Sequence, residues 1–137
     1  MARFGKRSLD VLSELAPDLQ TLFKVVIQYV DIKLICGYRN RIAQHAAFLS
    51  DNSKVDWPNS KHNVSPSLAV DWVPFPDSGK PDDYIYLAGF IMGIGQALFM
   101  EGKMFHRLRY GGDFNMNYRT TDDGWDFGHV ELITKEK

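Results

Sequence analysis

Cysteine is nearly absent from this chain, since Cys36 is the single one among 137 residues. An internal disulfide is therefore impossible, and the class of small domains held together by disulfide bonds is excluded. Leu34, Ile35 and Gly37 surround the thiol, so the sequence predicts a buried and chemically inert cysteine. A cysteine hydrolase that pairs Cys36 with a histidine is an alternative that this apolar setting disfavours.

An excess of charge of one sign is also lacking, because 16 basic and 17 acidic residues give a net charge of −1 at pH 7. Nucleic-acid-binding domains usually carry a basic excess, so no nucleic-acid partner is expected. The most apolar segment, residues 85–100, contains Gln96 and is shorter than the ~20 apolar residues that span a bilayer. We expect a buried helix there and no membrane insertion.

Several signatures of targeting and catalysis are missing. No apolar stretch follows residues 1–8, so the sequence predicts a product made in the cytoplasm without a secretory signal. The His-Glu-x-x-His and Gly-x-Ser-x-Gly motifs are absent, which argues against the large zincin and α/β-hydrolase classes. Gly93 and Gly95 lie in a predicted helix that follows no strand; with Gly89 they indicate close helix packing rather than a dinucleotide site.

What is present indicates one globular domain over residues 1–137, since 45% of the residues are hydrophobic and the length suits a single core. Apolar periodicity and breaking residues predict an α+β fold, a small sheet covered by helices. The predicted helices cover residues 8–15, 17–27, 39–49 and 82–103, and the predicted strands cover 31–36, 68–73, 108–110 and 129–133. Residues 50–67 and 111–124 are predicted loops.

Two distant segments carry the residues of a catalytic zinc site. His62 and Asp71 lie in Ser-Lys-His and Ala-Val-Asp, and Asp126 and His129 lie in Asp-Phe-Gly-His-Val-Glu. Three protein ligands hold a catalytic zinc ion and leave a fourth position for water. A further carboxylate is then free to act as the general base on that water.

The predicted strands explain how these segments could meet. Asp71 lies in one strand-like run and His129 begins another, so pairing of the two would bring the side chains together. Because side chains alternate along a strand, His129 and Glu131 share a face, and Glu131 is expected to orient a ligand. On residue types alone, a surface histidine–aspartate hydrogen bond remains the alternative.

Taken jointly, Ser-x-His, Ala-x-Asp and Asp-x-x-His-Val-Glu resemble the family of zinc D-alanyl-D-alanine carboxypeptidases and L-alanyl-D-glutamate endopeptidases. Residues 4–8, 37–39 and 109–113 resemble its phage endolysins, so the resemblance covers nearly the whole chain. It implies the fold that this family shares with the hedgehog signalling domain, a small antiparallel β-sheet flanked by helices.

The resemblance also implies roles at matching positions. The implied zinc ligands are His62, Asp71 and His129, and the implied catalytic base is Asp126. Arg39 is expected to contact the substrate or the developing oxyanion, and Ser60 is expected to be a supporting residue on the substrate side of the site. One departure is the spacing. Eight residues separate His62 from Asp71, with Pro66 and Ser67 where the commonest family form has a shorter loop with a central glycine. A longer loop path is therefore expected.

The implied function is a zinc peptidase that cuts the L-alanyl–D-glutamate bond in the peptide stem of bacterial peptidoglycan. The implied setting is phage lysis, in which a monomeric enzyme reaches the cell wall after holin-type release. A D-alanyl-D-alanine carboxypeptidase is the nearest alternative. A non-catalytic zinc-stabilised wall-binding domain is another, although a purely structural zinc site has no need of Asp126.

A second ion is also conceivable in the loop before Asp126. Asp113, Asn115 and Asp122 offer oxygens with the alternation that begins a calcium loop, although its central glycine and terminal glutamate are missing. An ordinary turn built on Asp and Asn side chains is the alternative.

Overall fold

The computed structural model describes residues 2–121 and 124–134. Within them the elements run in the order α1 (Lys6–Ser13), α2 (Pro17–Val26), β1 (Ile32–Cys36), α3 (Arg41–Leu49), a 3₁₀ turn (Lys61–Asn63), β2 (Ala69–Pro74), α4 (Pro81–Met100), β3 (Leu108–Tyr110) and β4 (His129–Leu132). The four strands form one antiparallel sheet in the order β1-β2-β4-β3. The predicted α+β class, with a small antiparallel sheet flanked by helices, is confirmed.

The centre of the sheet joins the two motif-bearing segments. Strand β2 lies between β1 and β4, and its pairing with β4 sets Asp71 directly opposite His129. Alternation then divides the side chains of these strands between two faces. Val70, Trp72 and Val130 point into the hydrophobic core, whereas Asp71 and His129 lie on the opposite face.

Helices α1, α2 and α4 cover the core face of the sheet. Leu19, Leu22, Phe23 and Ile91 are fully buried there, and each such side chain stabilises the fold by about 1.5–3 kcal/mol relative to an exposed one. The rigid core therefore supports the two central strands from one side and leaves their other face for polar side chains.

Some helix ends differ from the prediction. Helix α1 begins at Lys6 with Gly5 as its N-cap, two residues before the predicted start at Ser8. Ser8 is buried, and its Oγ accepts a hydrogen bond from the backbone N–H of Leu34 at 3.1 Å. A long-range bond of this kind leaves no trace in local sequence.

Helix α3 begins later than predicted. The Asn40 side chain caps it by accepting from the backbone N–H of Ala43 at 2.9 Å, so the helix starts at Arg41. Arg39 consequently lies in the loop between β1 and α3. Helix α4 begins at Pro81 with Lys80 as its N-cap, one residue before the predicted start, and Asp82 and Asp83 lie in its first turn.

Helix α4 is less buried than the predicted buried helix, because its buried residues are Ala88, Ile91, Gly95 and Leu98. A Cβ atom on Gly95 would lie 2.3 Å from Leu108 Cδ1, so this glycine permits the predicted close approach. A Cβ atom on Gly89 or Gly93, in contrast, would lie within 4 Å of no described atom beyond the adjacent residues and the backbone of α4 itself. By length and mean hydropathy α4 also matches a membrane span, a property that core helices of soluble proteins share.

Candidate metal centre

The 3₁₀ turn positions His62. The Ser60 Oγ accepts from the backbone N–H of His62 at 3.1 Å, and the Asn63 Oδ1 accepts from the backbone N–H of Ser60 at 3.0 Å. Together they form a reciprocal cap at the start of the turn. His62 is 3% exposed as a result. Ser60, predicted at the substrate, thus has a local role in holding the histidine.

The hydrogen bonds of the His62 ring leave one nitrogen available. Nδ1 lies 2.6 Å from the carbonyl oxygen of Gly37, which fixes the neutral ring with its hydrogen on Nδ1. Nε2 is buried, has no hydrogen-bond partner among the described residues, and lies 3.3 Å from Asp71 Oδ1. A ring oriented by a carbonyl, with its other nitrogen unpartnered, has the arrangement of a metal-binding histidine.

The longer loop between His62 and Asp71 is held by Ser67, which sequence reasoning missed. The Ser67 hydroxyl is buried and lies 3.1 Å from the Gly37 carbonyl oxygen and 2.6 Å from that of Ala69. Its backbone N–H donates to the carbonyl oxygen of Glu14 at 2.8 Å. The longer loop is therefore attached to the C-terminal end of α1 by hydrogen bonds, and His62 still lies beside Asp71.

The His129 ring is oriented in the same manner by a carboxylate. Its Nε2 lies 2.8 Å from Glu131 Oε1, which in turn is held by Arg109 through Nη2 and Glu131 Oε2 at 3.0 Å. The other nitrogen, Nδ1, lies 3.0 Å from Asp71 Oδ1 and 3.6 Å from Asp126 Oδ2. Glu131 thus lies beside His129 on one face of β4, as strand alternation predicts.

The rings of His62 and His129 both lie close to the same atom, Oδ1 of Asp71. Its separations of 3.3 Å from His62 Nε2 and 3.0 Å from His129 Nδ1 approach the roughly 3.3–3.6 Å that bonds of 2.0–2.2 Å give between ligands of a tetrahedron. The compact donor groups are two triplets that meet at Asp71, one with Asp126 and His129 and the other with Cys36 and His62. Each triplet holds one histidine, so the predicted set of His62, Asp71 and His129 is not itself one of these compact groups. The ring centroids of the two histidines are 5.2 Å apart.

Proton affinity is strongly perturbed in this cluster. Burial alone would lower the pKa of both histidines, but the neighbouring Asp71 carboxylate raises the pKa of His62 to about 10 and that of His129 to about 9. Burial would raise the pKa of Asp71, yet the two rings hold it below its usual range. A metal ion that binds here must displace those protons, because only an unprotonated ring nitrogen is a ligand.

Asp126 is placed by backbone contacts with Gly111. The Asp126 N–H donates to the Gly111 carbonyl at 3.2 Å, and the Gly111 N–H donates to that of His129 at 2.8 Å. A Cβ atom on Gly111 would lie 2.1 Å from the Asp126 carbonyl oxygen, so only glycine permits this approach. Burial, with a contribution from Asp71 and against the effect of His129, raises the pKa of Asp126, which suits a general base.

Arg39 reaches the cluster from the loop before α3. Its Nη2 donates to Asp71 Oδ2 at 3.3 Å, and its Nη1 donates to Gln44 Oε1 at 3.0 Å. Its backbone N–H donates to the carbonyl oxygen of His62 at 2.7 Å, so the loop and the 3₁₀ turn are joined directly. The side chain remains 16% exposed, which leaves the guanidinium accessible from the cavity.

Cys36 does not lie in the apolar setting that its neighbours predict. It is half-buried, with its Sγ 4.0 Å from His62 Nδ1 and 3.8 Å from Arg39 Nη2. The pairing of β1 with β2 shifts register between Leu34 and Cys36, so alternation along β1 is broken at its end. This irregularity turns the thiol toward the polar face.

All six predicted site residues line one cavity of about 430 Å³, namely Arg39, Ser60, His62, Asp71, Asp126 and His129. Trp125 also lines it, whereas Trp57 borders a separate cavity and Trp72 is buried in the core. The cavity is large enough for several residues of an extended peptide.

The remaining two histidines lie outside this cavity. His45 Nδ1 is 2.9 Å from Asp56 Oδ2 in an exposed pair. His106 Nδ1 is 2.7 Å from Asp18 Oδ2, in a contact that joins residues 88 positions apart. Neither carboxylate could be assigned from sequence spacing.

The residues expected for calcium bond to their own loop. Asp113 accepts from the backbone N–H of Asn117 through Oδ1 at 3.1 Å and from that of Tyr118 through Oδ2 at 2.8 Å. Asn115 Oδ1 also accepts from Asn117 N–H, at 3.2 Å. These bonds are typical of turns built on Asp and Asn. Asp122, the third expected ligand, lies outside the described residues.

A family model and a solved structure match this chain, and both describe L-alanyl-D-glutamate peptidases. A family model described as phage L-alanyl-D-glutamate peptidase matches residues 1–133. No curated protein sequence matches. The crystal structure of the L-Ala D-Glu endopeptidase ChiX from Serratia marcescens is similar, with a TM-score of 0.69 and 21% identity over 96% of this chain and 90% of that one. At this identity the likeness shows a shared fold.

Proposed function

This chain belongs to the phage L-alanyl-D-glutamate peptidase family, as its match over residues 1–133 shows. We propose that it works with a zinc ion and that His62, Asp71 and His129 hold this ion. As a member of that family it is a peptidase that acts on peptidoglycan. The observation that supports the ligand set is the orientation of the rings. In each histidine one nitrogen is tied to an oxygen acceptor, while the other faces Oδ1 of Asp71.

The donor chemistry suits zinc. Two imidazole nitrogens and one carboxylate oxygen are common zinc ligands, and a three-ligand site is typical of catalytic rather than structural zinc. When bound, zinc supplies Lewis acidity that polarises a carbonyl group and acidifies a water molecule. Glu131 fixes the His129 ring and strengthens it as a donor.

Asp126 and Arg39 supply the remaining chemistry. Asp126 accepts a proton from the water that attacks the L-alanyl carbonyl carbon, and it passes that proton to the D-glutamyl nitrogen as the C–N bond breaks. The Arg39 guanidinium donates to the oxygen on which negative charge develops. Ser60 supports this side of the cavity through its cap on the 3₁₀ turn.

We also propose where this enzyme is made, how it reaches the cell wall and in which oligomeric state it acts. The family indicates release to act on the cell wall. We expect synthesis in the host cytoplasm, holin-type release and action as a monomer. Light scattering of the purified protein at micromolar concentration tests the last of these, and a dimer mass would contradict it.

Calcium at Asp113, Asn115 and Asp122 is a separate, testable expectation. A calcium titration that raises the melting temperature or the activity would support it. A titration that changes neither would remove it, and the described hydrogen bonds of Asp113 would then be the whole role of this loop.

The decisive experiment is mass spectrometry of purified peptidoglycan after incubation with the protein, with and without a zinc chelator. Fragments that end at L-alanine, lost on chelation and restored by zinc, are expected. Loss of the terminal D-alanine alone would indicate a carboxypeptidase. An absence of cleavage by folded, zinc-loaded protein would contradict the proposal and favour a wall-binding domain.

A further inference from the structure

Gln44 is a buried polar residue at the centre of four hydrogen bonds. It lies in α3 and is 0% exposed. Its Oε1 accepts from Arg39 Nη1 and from Asn63 Nδ2, each at 3.0 Å. Its Nε2 donates to Ser53 Oγ at 2.9 Å and to the Val55 carbonyl oxygen at 2.7 Å. All donors and acceptors of a side-chain amide are therefore used.

The orientation of this amide is determined by its surroundings. Ser53 Oγ and the Val55 carbonyl lie on the Nε2 side, where a carbonyl acceptor would repel an amide oxygen. The Asn63 and Arg39 donors lie on the other side. Reversing the amide would oppose like groups at both ends, so Oε1 faces the guanidinium of Arg39.

Arg39 needs such an anchor. An arginine side chain is long and flexible, and its contacts with Asp71 Oδ2 at 3.3 Å and Cys36 Sγ at 3.8 Å both involve Nη2, so the guanidinium plane can still turn about that end. A contact through Nη1 fixes that plane. Gln44 is neutral, so it orients the cation without neutralising the charge that a developing oxyanion would require.

Resting on the function proposed above, we infer that Gln44 is a positioning residue for the reaction, acting through Arg39. It touches neither substrate nor metal. Its amide holds the guanidinium of Arg39 at the orientation in which Nη2 lies beside Asp71 at the cavity. Groups held in advance in this way need not reorganise during the reaction, and an error of a fraction of an ångström lowers the rate.

A purely structural role is the competing explanation. Gln44 is the one buried residue of α3, a helix that lies wholly within the described residues, so it also anchors this helix to the domain. Loss of stability in a variant would therefore not distinguish the two roles. A coupling measurement does, because a structural effect on activity does not depend on the presence of the guanidinium.

The test is a double-mutant cycle of Gln44→Met and Arg39→Ala. Methionine matches glutamine in length and removes all four hydrogen bonds. kcat and KM are measured on a soluble stem peptide that contains the L-alanyl–D-glutamate bond, and zinc content and melting temperature are measured for every variant. Gln96→Met, at an exposed position of α4, is the matched control. If Gln44→Met does not fold, Gln44→Leu replaces it, because leucine also removes the amide that holds Arg39 and leaves no buried polar group in its place.

We expect Gln44→Met to lower kcat/KM roughly 10–100-fold with zinc content unchanged, which is typical for the loss of a supporting contact at a metal site. In the Arg39→Ala background the same substitution should change kcat/KM by less than about threefold, because the group through which Gln44 acts is absent. Gln96→Met should match the wild type.

Equal losses in both backgrounds, an unchanged kcat/KM in Gln44→Met, or a loss of zinc from this variant would each overturn the inference. The last result would mean that the effect passes through Asn63 and the 3₁₀ turn rather than through Arg39. Failure of the proposed function is distinct from all three, since the zinc-loaded wild type would then not cut the peptide at all.

Discussion

Two aspartates of this protein lie at nearly the same distance from a histidine but in different surroundings. Asp71 Oδ1 lies 3.0 Å from His129 Nδ1, and Asp18 Oδ2 lies 2.7 Å from His106 Nδ1. The same oxygen of Asp18 also accepts from the backbone N–H groups of Phe105 and His106, each at 2.8 Å. Asp71 receives two imidazole rings and a guanidinium instead.

The comparison separates a structural carboxylate from a candidate metal ligand. A short histidine–aspartate contact is common to both, so it is not diagnostic. Backbone donors at Asp18 join the start of α2 to the segment after α4, and the contact serves the fold. At Asp71 the partners are side chains, each ring has its second nitrogen tied elsewhere, and all of them border one cavity.

The largest expected difference comes from replacing each aspartate with asparagine. Asp71→Asn should lose zinc and reduce peptidoglycan cleavage to the level of chelated wild type, because the shared ligand oxygen is weakened. Asp18→Asn should retain zinc and kcat/KM but lower the free energy of unfolding by about 1.5–3 kcal/mol, the usual worth of hydrogen bonds to a charged group. Metal analysis and urea denaturation measure the two effects. Loss of zinc from Asp18→Asn would contradict the purely structural role of Asp18.

Asp126→Asn should give the next largest effect, and it tests chemistry without metal loss. A general base contributes roughly 10²–10⁴-fold, so kcat should fall by that factor while zinc content remains that of the wild type. Asp10→Asn, at an exposed carboxylate of α1, is the matched control and should be fully active. Retention of kcat in Asp126→Asn would exclude Asp126 as the base.

Glu131→Gln should have a smaller effect. The substitution retains an oxygen acceptor for His129 Nε2 but removes the charge that Arg109 and Lys61 also contact. Loss of a partner that orients a ligand typically costs roughly 10–100-fold in metal affinity or activity. Competition with a zinc-binding dye measures the affinity. Affinity equal to that of the wild type would mean that the Glu131 charge contributes nothing to the site.

The elements that sequence predicts well are those with local periodicity. Strands β2 and β4 are recognisable from their strand-like composition, and the pairing that would bring Asp71 to His129 is present in the sheet. Alternation then brings Glu131 to the face of His129, and the family resemblance assigns Asp71 and Asp126. Both the fold class and six of the residues that line the cavity could therefore be predicted from the sequence.

What sequence could not supply depends on irregular or long-range contacts. The register shift at the end of β1 brings Cys36 beside His62, and no local pattern indicates a shift of that kind. Gln44 forms hydrogen bonds to three separate segments of the chain. The sequence alone does not distinguish it from an ordinary polar residue of a helix. The contact of His106 with Asp18 spans 88 positions, which only the packing of α2 against α4 explains.

The smallest expected effect is that of His106→Ala. This variant tests most strictly whether the histidine beside Asp18 differs in its role from the histidine beside Asp71. The ring is 41% exposed, and Asp18 keeps both backbone donors when the ring is removed. The free energy of unfolding should therefore fall by only about 0.5–1.5 kcal/mol, with kcat/KM and zinc content unchanged. His129→Ala removes a ring at a similar distance from an aspartate and should lose zinc altogether. If both variants lost stability alone, the shared oxygen of Asp71 would be no more than a buried hydrogen-bond acceptor, and the metal would have to bind elsewhere.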